Sequence, residues 1–548
     1  MNLVAEPART VLALLRSGEL SAAEVHEAVA ARLAAVEPVI NAVPLRVAHP
    51  PAGLPITVKD VLDVAGLPTT FGSLCSAYPY APPPPAPCSE HAPCSEHAGA
   101  SPTAALCSEH IYASPAVCSA YTYASPHDRG VARTSDPLVR RLESRGMAVI
   151  GKTNVPEFLS GAETTNDLFG PTRNPWDPAL TCGASSGGAA ASVASGTSWL
   201  AHGEDTAGSI RIPAAFCGVV GLRTTPGLVP TAPTADPVPG FTVHGPIARD
   251  VDDALLMLRA MSPSPLVGSP PSGSPPLAEL SPTDPPLAGT SPTGTSPTGT
   301  SPTGTSPPAE PPPSEPSLRR IGYSPDLGGR VPIDPSIAAV CARVMAGFGD
   351  RVSLAEPAVD GWHEACLVLL AHRAAVLHGP RVDRCGDRLG AGIRAEVEAG
   401  RSLTTKQLAG AWEVQAAARN AARPGSSDVR TAARGAAGPG LFDVHDAARP
   451  GLFDVHDVIV TPAFGVLPWQ PPADLATVAA SWPLMTVATM AGCPALVVPC
   501  GVNEGGLPVA LQLIGPPGSD VALLHLGREI EQLRTMPDLP LSRVPTPL

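Results

Sequence analysis

The chain has 548 residues, 44% of them hydrophobic, and a formal net charge of -13. That length allows roughly two to four average domains, or one large α/β domain with insertions, and the apolar share is enough for a substantial core. The acidic balance argues against a general affinity for nucleic acid or an anionic membrane, because both reward clustered Lys and Arg.

The N-terminal stretch "MNLVAEPARTVLALLRSGELSAAEV" has a short apolar run broken by Arg16 and no secretory pattern. No run approaches the ~20 apolar residues of a membrane helix, so the cytoplasm is the expected location. Residues 8–36 have helical spacing, with Leu12, Leu15, Val25, Val29 and Leu33 near i, i+3/i+4. Ser21 is the expected N-cap, with Glu24 three residues on. "LPITVKDVLDVAGLPTT" (54–70) reads as a short strand, Lys59-Asp60, and a turn at Gly66.

Residues 74–127 change character: Pro, Ala and Ser dominate, "CSEH" begins at 88, 94 and 107, and "CSAY" at 75 and 118. The units are too short and irregular to stack, so this is an insertion and not a repeat fold. Thiol and imidazole at i, i+3 could bind zinc, but the spacing matches no recognised site, and no metal is expected. Twelve cysteines in a chain this long do not imply a disulfide framework.

Globular sequence returns at Arg133, with a helix pattern in "SDPLVRRLESRG" and a strand in "MAVIG". "GMAVIGKT" (146–153) satisfies the phosphate-loop pattern G-x-x-x-x-G-K-[ST]. Its context is wrong: a helix precedes Gly146, which reads as the helix cap, and the strand sits where the loop should be. No nucleotide is expected. Residues 262–317, with "SPTGT" in tandem, cannot form a core and read as linker. At 421–457 "GLFDVHD" occurs twice, at 440 and 451, and the second copy runs into the strand-like "VIVTP". The end of the chain gives two strands, "PALVVPCGV" and "LPVALQLIG", and a helix, "DVALLHLGREIEQL". Segments 1–73, 128–261 and 318–548 are expected to form one domain.

The chemistry concentrates in "TCGASSGGAAASVASGTSWLAHGEDTAGSIRIPAAFCGVVGLRTTP" (181–226). Its Gly, Ser and Ala allow close backbone approach, and successive N–H groups in such a turn make an anion-binding nest. "GASSGG" holds Ser185 and Ser186; "EDTAGSIRIP" holds Asp205 and Ser209. "GASSGGAAASVASG" followed by "DTAGSIRIPAAFCGVVGLRTTPG" resembles the amidase signature family, whose members use a Lys–Ser–Ser triad. Ser209 follows Ser185 by 24 positions, as in that family, and "PITVKD" supplies Lys59 where the family's lysine is expected. "GKTNVPEF", "FGPTRNPWD", "VHGPIARDVDDA" and "GCPALVVPCG…GLPVALQLIG" also resemble family segments. Ala184 and Ala207 stand where relatives often carry Gly, the first of them just before a serine reached through a cis peptide.

The resemblance implies an α/β fold in which a large mixed β-sheet is covered by helices on both faces. It implies an amidase that cleaves a carboxylic acid amide through a Ser209 acyl-enzyme, with Ser185 relaying protons to Lys59. Lysine can act as base only when neutral, and burial favours that form. Backbone N–H groups of Thr206, Ala207, Gly208 and Ser209 would hold the oxyanion, and Ser186, Asp205 and Arg211 would support the loop. A small-molecule amide is the expected partner, with no cofactor, nucleic acid or membrane; a homodimer is left open. Three other readings compete: a glutaminase of the aminoacyl-tRNA amidotransferase type that needs partner subunits, an inactive scaffold, and an α/β-hydrolase. The last takes "GASSG" as a nucleophile elbow, with Ser185 as nucleophile and His445 or His456 as base.

Overall fold

The alternating and continuous apolar runs become strands of a single sheet in the computed structural model, which describes residues 2–77, 131–230, 236–263, 318–423, 425 and 451–537. The three "CSEH" copies, the stretch 264–317 and the first "GLFDVHD" copy with His445 lie outside the described residues. All described residues fall in one compact unit.

The strands are β1 (Leu45–Arg46), β2 (Leu54–Lys59), β3 (Met147–Thr153), β4 (Leu200–Asp205), β5 (Val220–Arg223) and β6 (Val243–Ala248), followed by β7 (Ile321–Tyr323), β8 (Val352–Leu354), β9 (Val458–Pro462), β10 (Ala495–Val502) and β11 (Pro508–Ile514). Their spatial order among the described residues is β1-β3-β2-β4-β6-β5-β10-β11-β9-β7-β8. β2 pairs in parallel with both β3 and β4, and β7 with β8 and β9; the remaining pairs are antiparallel. Every residue of β2, β3, β4, β5, β6, β9 and β11 is buried, so both faces of this mixed sheet are covered.

The helices form where spacing and caps indicate. The N-terminal helical stretch divides into Ala8–Ser17 and Ala22–Ile40, because Gly18 takes φ +78° and Ser21 with Glu24 makes a capping box for the second helix. Pro137–Ser144 is capped by the Asp136 side chain and ends before Gly146 at φ +85°. Lys152 of "GKT" is buried in β3, 2.6 Å from Asp60 and 2.7 Å from the carbonyl of Pro68, so it is a structural cation between two strands. The second "GLFDVHD" copy leads into β9, and the Leu452 N–H bonds back to Ala421.

One covalent link was missed from the sequence. Cys75 and Cys385, 310 positions apart, are disulfide-bonded with Cα atoms 6.4 Å apart. They sit in a small apolar cluster with Phe158, Leu389 and Ile393.

Candidate active site

Parallel pairing of β2 with β4 puts the carboxyl ends of both strands on one edge of the sheet, the usual place for reacting groups in an α/β protein. Lys59 is the last residue of β2 and Asp205 the last of β4. Between them in sequence lies the helix Gly187–Ala194, "GGAAASVA", every residue of which is buried. Ser185 and Ser186 immediately precede it, and the Ala184–Ser185 peptide is cis.

Lys59 is fully buried, and its Nζ lies 2.7 Å from Ser185 Oγ and 3.1 Å from the carbonyl of Glu204. Desolvation pulls the ammonium down to about 8, against the upward pull of Glu204 and Asp205 and with a further downward push from Arg373. Ser186 ties the two loops together: its N–H donates to the carbonyl of Ser209 (3.0 Å), and its hydroxyl donates to the carbonyl of Glu204 (3.1 Å). Ser209 itself is half-buried, and among the described residues its hydroxyl has no hydrogen-bond partner.

The turn Thr206–Ser209 is shaped from Asp205. Its carboxylate accepts from the Gly208 N–H (3.0 Å), the Ile210 N–H (3.1 Å), and Arg211 Nε and Nη2 (3.0 Å each). Arg223 Nη1 adds a contact at 3.2 Å. Burial raises this carboxyl, but the two guanidiniums and the Gly208 amide outweigh it and hold it well below the usual carboxylate range. This corrects one expectation. The Gly208 N–H points at Asp205, which leaves the N–H groups of Thr206, Ala207 and Ser209 without a partner among the described residues. Gly208 has φ +110°, and a Cβ there would meet Met485 Cγ at 2.7 Å.

Arg211 extends the anchoring to the C-terminal segments through the carbonyl of Met485 (2.9 Å) and Gln512 Oε1 (2.7 Å). Thr489 Oγ1 donates to the carbonyl of Thr206 (2.9 Å), and Trp482 Nε1 to that of Ala207 (2.8 Å). On β4, His202 Nδ1 accepts from the Lys59 N–H at 3.3 Å, so its Nε2 carries the proton and donates to His244 Nδ1 at 2.7 Å. Burial keeps both imidazoles neutral. Arg223, Trp482, Thr489, Gln512, Glu204 and the His pair went unnoticed in the sequence; only Arg223 gave a signal, as a cation ending the apolar run "VVGL".

His456 does not approach Ser185. It bonds Ser353 of β8 (2.8 Å) near the far edge of the sheet, while Ser185 contacts Lys59 of β2, so the nucleophile-elbow arrangement with His456 is not formed. Among the described residues no cluster of His, Cys, Asp and Glu could hold a metal ion, and no helix is long and apolar enough to cross a membrane.

A family model described as Amidase matches residues 120–282 and 446–524. One component of the glutamyl-tRNA(Gln) amidotransferase of Carboxydothermus hydrogenoformans is 34% identical over 282 residues, 48% of either chain, so the match spans about half that relative's length. The putative amidase AmiA2 of Mycobacterium tuberculosis strain H37Rv is 29% identical over 504 residues, 88% of this chain and 80% of that one. A solved 6-aminohexanoate cyclic dimer hydrolase shares the fold, with a TM-score of 0.67 and 21% identity over 98% of this chain and 99% of the other. With the motif residues assembled on that fold and the family model matching around them, the chain resembles the amidase signature family.

Proposed function

We propose that this protein is an amidase that hydrolyses a small carboxylic acid amide through an acyl-enzyme on Ser209. The observation that carries this reading is the buried contact of 2.7 Å between Lys59 Nζ and Ser185 Oγ. A lysine desolvated to about 8 has an accessible neutral form, and a neutral amine can take a proton that an ammonium cannot. Ser209 Oγ attacks the amide carbon. Its proton passes to Ser185 Oγ, whose own proton passes to Lys59 Nζ. The N–H groups of Thr206, Ala207 and Ser209 hold the developing oxyanion. The proton returns from Lys59 through Ser185 to the leaving nitrogen as the C–N bond breaks, and water then cleaves the ester by the same relay. Asp205, Arg211 and Ser186 fix the turn and its distance from Lys59.

The test is release of ammonia or amine from aliphatic, aromatic and peptide amides by wild type and Ser209→Ala. Turnover should vanish in the variant, and a fluorophosphonate probe should label Ser209. Wild-type-like turnover by Ser209→Ala, or labelling of Ser185 instead, refutes the reading. The match to an amidotransferase component favours a second reading, a glutaminase acting with partner subunits. Ammonia release confined to glutamine, with co-purifying subunits, would establish it.

A further inference from the structure

The peptide planes of the turn that carries Ser209 are held from behind, by their carbonyls. A trans peptide is rigid, and its C=O and N–H point in opposite directions, so a donor that fixes the carbonyl of one residue also fixes the N–H of the next. The Asp205 carbonyl accepts from Arg223 Nη1 (2.9 Å), which sets the Thr206 N–H. The Thr206 carbonyl accepts from Thr489 Oγ1 (2.9 Å), which sets the Ala207 N–H. Trp482 Nε1 on the Ala207 carbonyl (2.8 Å) sets the Gly208 N–H, and the Ile212 N–H on the Gly208 carbonyl (2.8 Å) sets that of Ser209.

Thr489 differs from the other side chains in this set. Arg223 also balances the Asp205 carboxylate, and Trp482 serves an N–H already taken by Asp205. Thr489 carries no charge, and the N–H it sets, that of Ala207, has no partner among the described residues. Its side chain is fully buried on the helix Pro483–Ala491, and its hydroxyl has one proton to give. Arg211 Nη2 donates to the hydroxyl oxygen at 3.3 Å. Arg211 Nη1 already occupies the Met485 carbonyl at 2.9 Å, against 3.4 Å for Thr489 Oγ1. The Thr489 proton therefore goes to the Thr206 carbonyl.

We propose that Thr489 is a positioning residue for catalysis: its hydroxyl, bound to the Thr206 carbonyl, aims the Ala207 N–H at the developing oxyanion. The inference rests on the amidase reading of Lys59, Ser185 and Ser209. An oxyanion donor helps when it already points at the charge as it forms, so a peptide plane left free to rotate loses rate rather than substrate affinity.

The experiment compares wild type with Thr489→Val, Thr489→Ala and Thr489→Ser, with Ser209→Ala beside them. Turnover of the aliphatic, aromatic and peptide amides is measured together with the rate at which a fluorophosphonate labels Ser209, whose P=O oxygen draws on the same N–H groups. Both kcat and the labelling rate should fall about 10–10²-fold in Thr489→Val and Thr489→Ala at unchanged KM, and Thr489→Ser should restore most of the loss. The acid limb of kcat/KM should stay near 8 in every variant, because none of the Thr489 bonds involves Lys59. Thr489→Val keeps the shape of the side chain; if it does not fold, Thr489→Ala carries the test. Rates within about threefold of wild type overturn the proposal, as do an equal loss in Thr489→Ser, a loss confined to KM, or a moved acid limb. So does a failure of both Thr489→Val and Thr489→Ala to fold while Thr489→Ser folds, because the bond is then required by the resting structure. Turnover or labelling surviving in Ser209→Ala would instead overturn the amidase reading itself. An inert Ser209→Ala beside a wild-type-like Thr489→Val would defeat only the role of Thr489.

Discussion

Replacing Asp205 by Asn tests the electrostatics of the turn that carries Ser209. The carboxylate faces only donors: the Gly208 and Ile210 amides, two nitrogens of Arg211 and one of Arg223. An Asn side chain keeps one acceptor and turns an NH₂ group toward donors already in place. It also leaves two fully buried guanidiniums without their shared anion. Breaking a buried ion pair by removing one partner costs about 3–5 kcal/mol, and here one change breaks two pairs, so the upper end is expected. For a chain of 548 residues that is a drop of about 3–4 °C in melting temperature, taking the unfolding entropy per residue as typical. The turn carrying Ser209 and the N–H groups of Thr206 and Ala207 would also lose its anchor, and kcat should fall about 10²–10³-fold, as when an oxyanion donor is lost. Urea unfolding followed by circular dichroism gives the first quantity, and ammonia release under saturating amide gives the second. Because the folded carboxyl sits far below its unfolded value, the stabilisation is complete above about pH 4 and is lost only as pH falls through the folded pKa. Wild-type and variant proteins should therefore differ by the same amount at about pH 5 and pH 8. An Asn variant within about 1 kcal/mol and threefold in kcat of wild type would refute the reasoning.

Other outcomes follow from the same geometry. In wild type, kcat/KM should fall about tenfold per pH unit below about 8, since only neutral Lys59 accepts a proton; a flat profile across that range excludes Lys59 as the base. Gly208→Ala should lower kcat by about 10²-fold, because φ +110° and the contact with Met485 at 2.7 Å force the turn to shift, and unchanged kcat would show the turn to be compliant. Lys152→Met should cost about 3 kcal/mol in urea unfolding by stranding Asp60, and ATP should leave the wild-type melting temperature where it is; an ATP-induced rise would reinstate the phosphate-loop reading of "GMAVIGKT".

The sequence carried the strands and helices well because burial on both faces writes continuous apolar runs, as in "ITV", "MAVIG" and "PVALQLI". It carried the candidate site where chemistry needs fixed spacing, at Lys59 and at the two serine turns. The supporting contacts were hidden, for a physical reason. Trp482, Thr489 and Gln512 reach the turn and Arg211 through hydrogen bonds across some 275 to 301 positions, and nothing local distinguishes them from core residues. Asp205 illustrates the limit from the other side. The motif led us to expect it to support the loop, but the N–H it takes from the 206–209 turn, that of Gly208, depends on a backbone angle that no residue pattern states.

The helix Gly187–Ala194 has a consequence for how such an enzyme can change over generations. A Cβ on Gly188 would strike the backbone N and O of Asn154 at 2.6 Å and the carbonyl of Ala42 at 2.8 Å, backbone atoms that cannot swing aside. Its remaining residues are Gly187, Ala, Ser and one Val, all small and fully enclosed. The element that presents Ser185 therefore offers mutation almost nothing to adjust: larger residues collide and smaller ones scarcely exist. The helix Trp362–Cys385 is different, with long side chains, a half-buried surface and Arg373 acting on Lys59. Substitutions should therefore be tolerated along that helix while the one following Ser185 stays frozen, which makes Gly187–Ala194 the place to leave alone in a directed-evolution library.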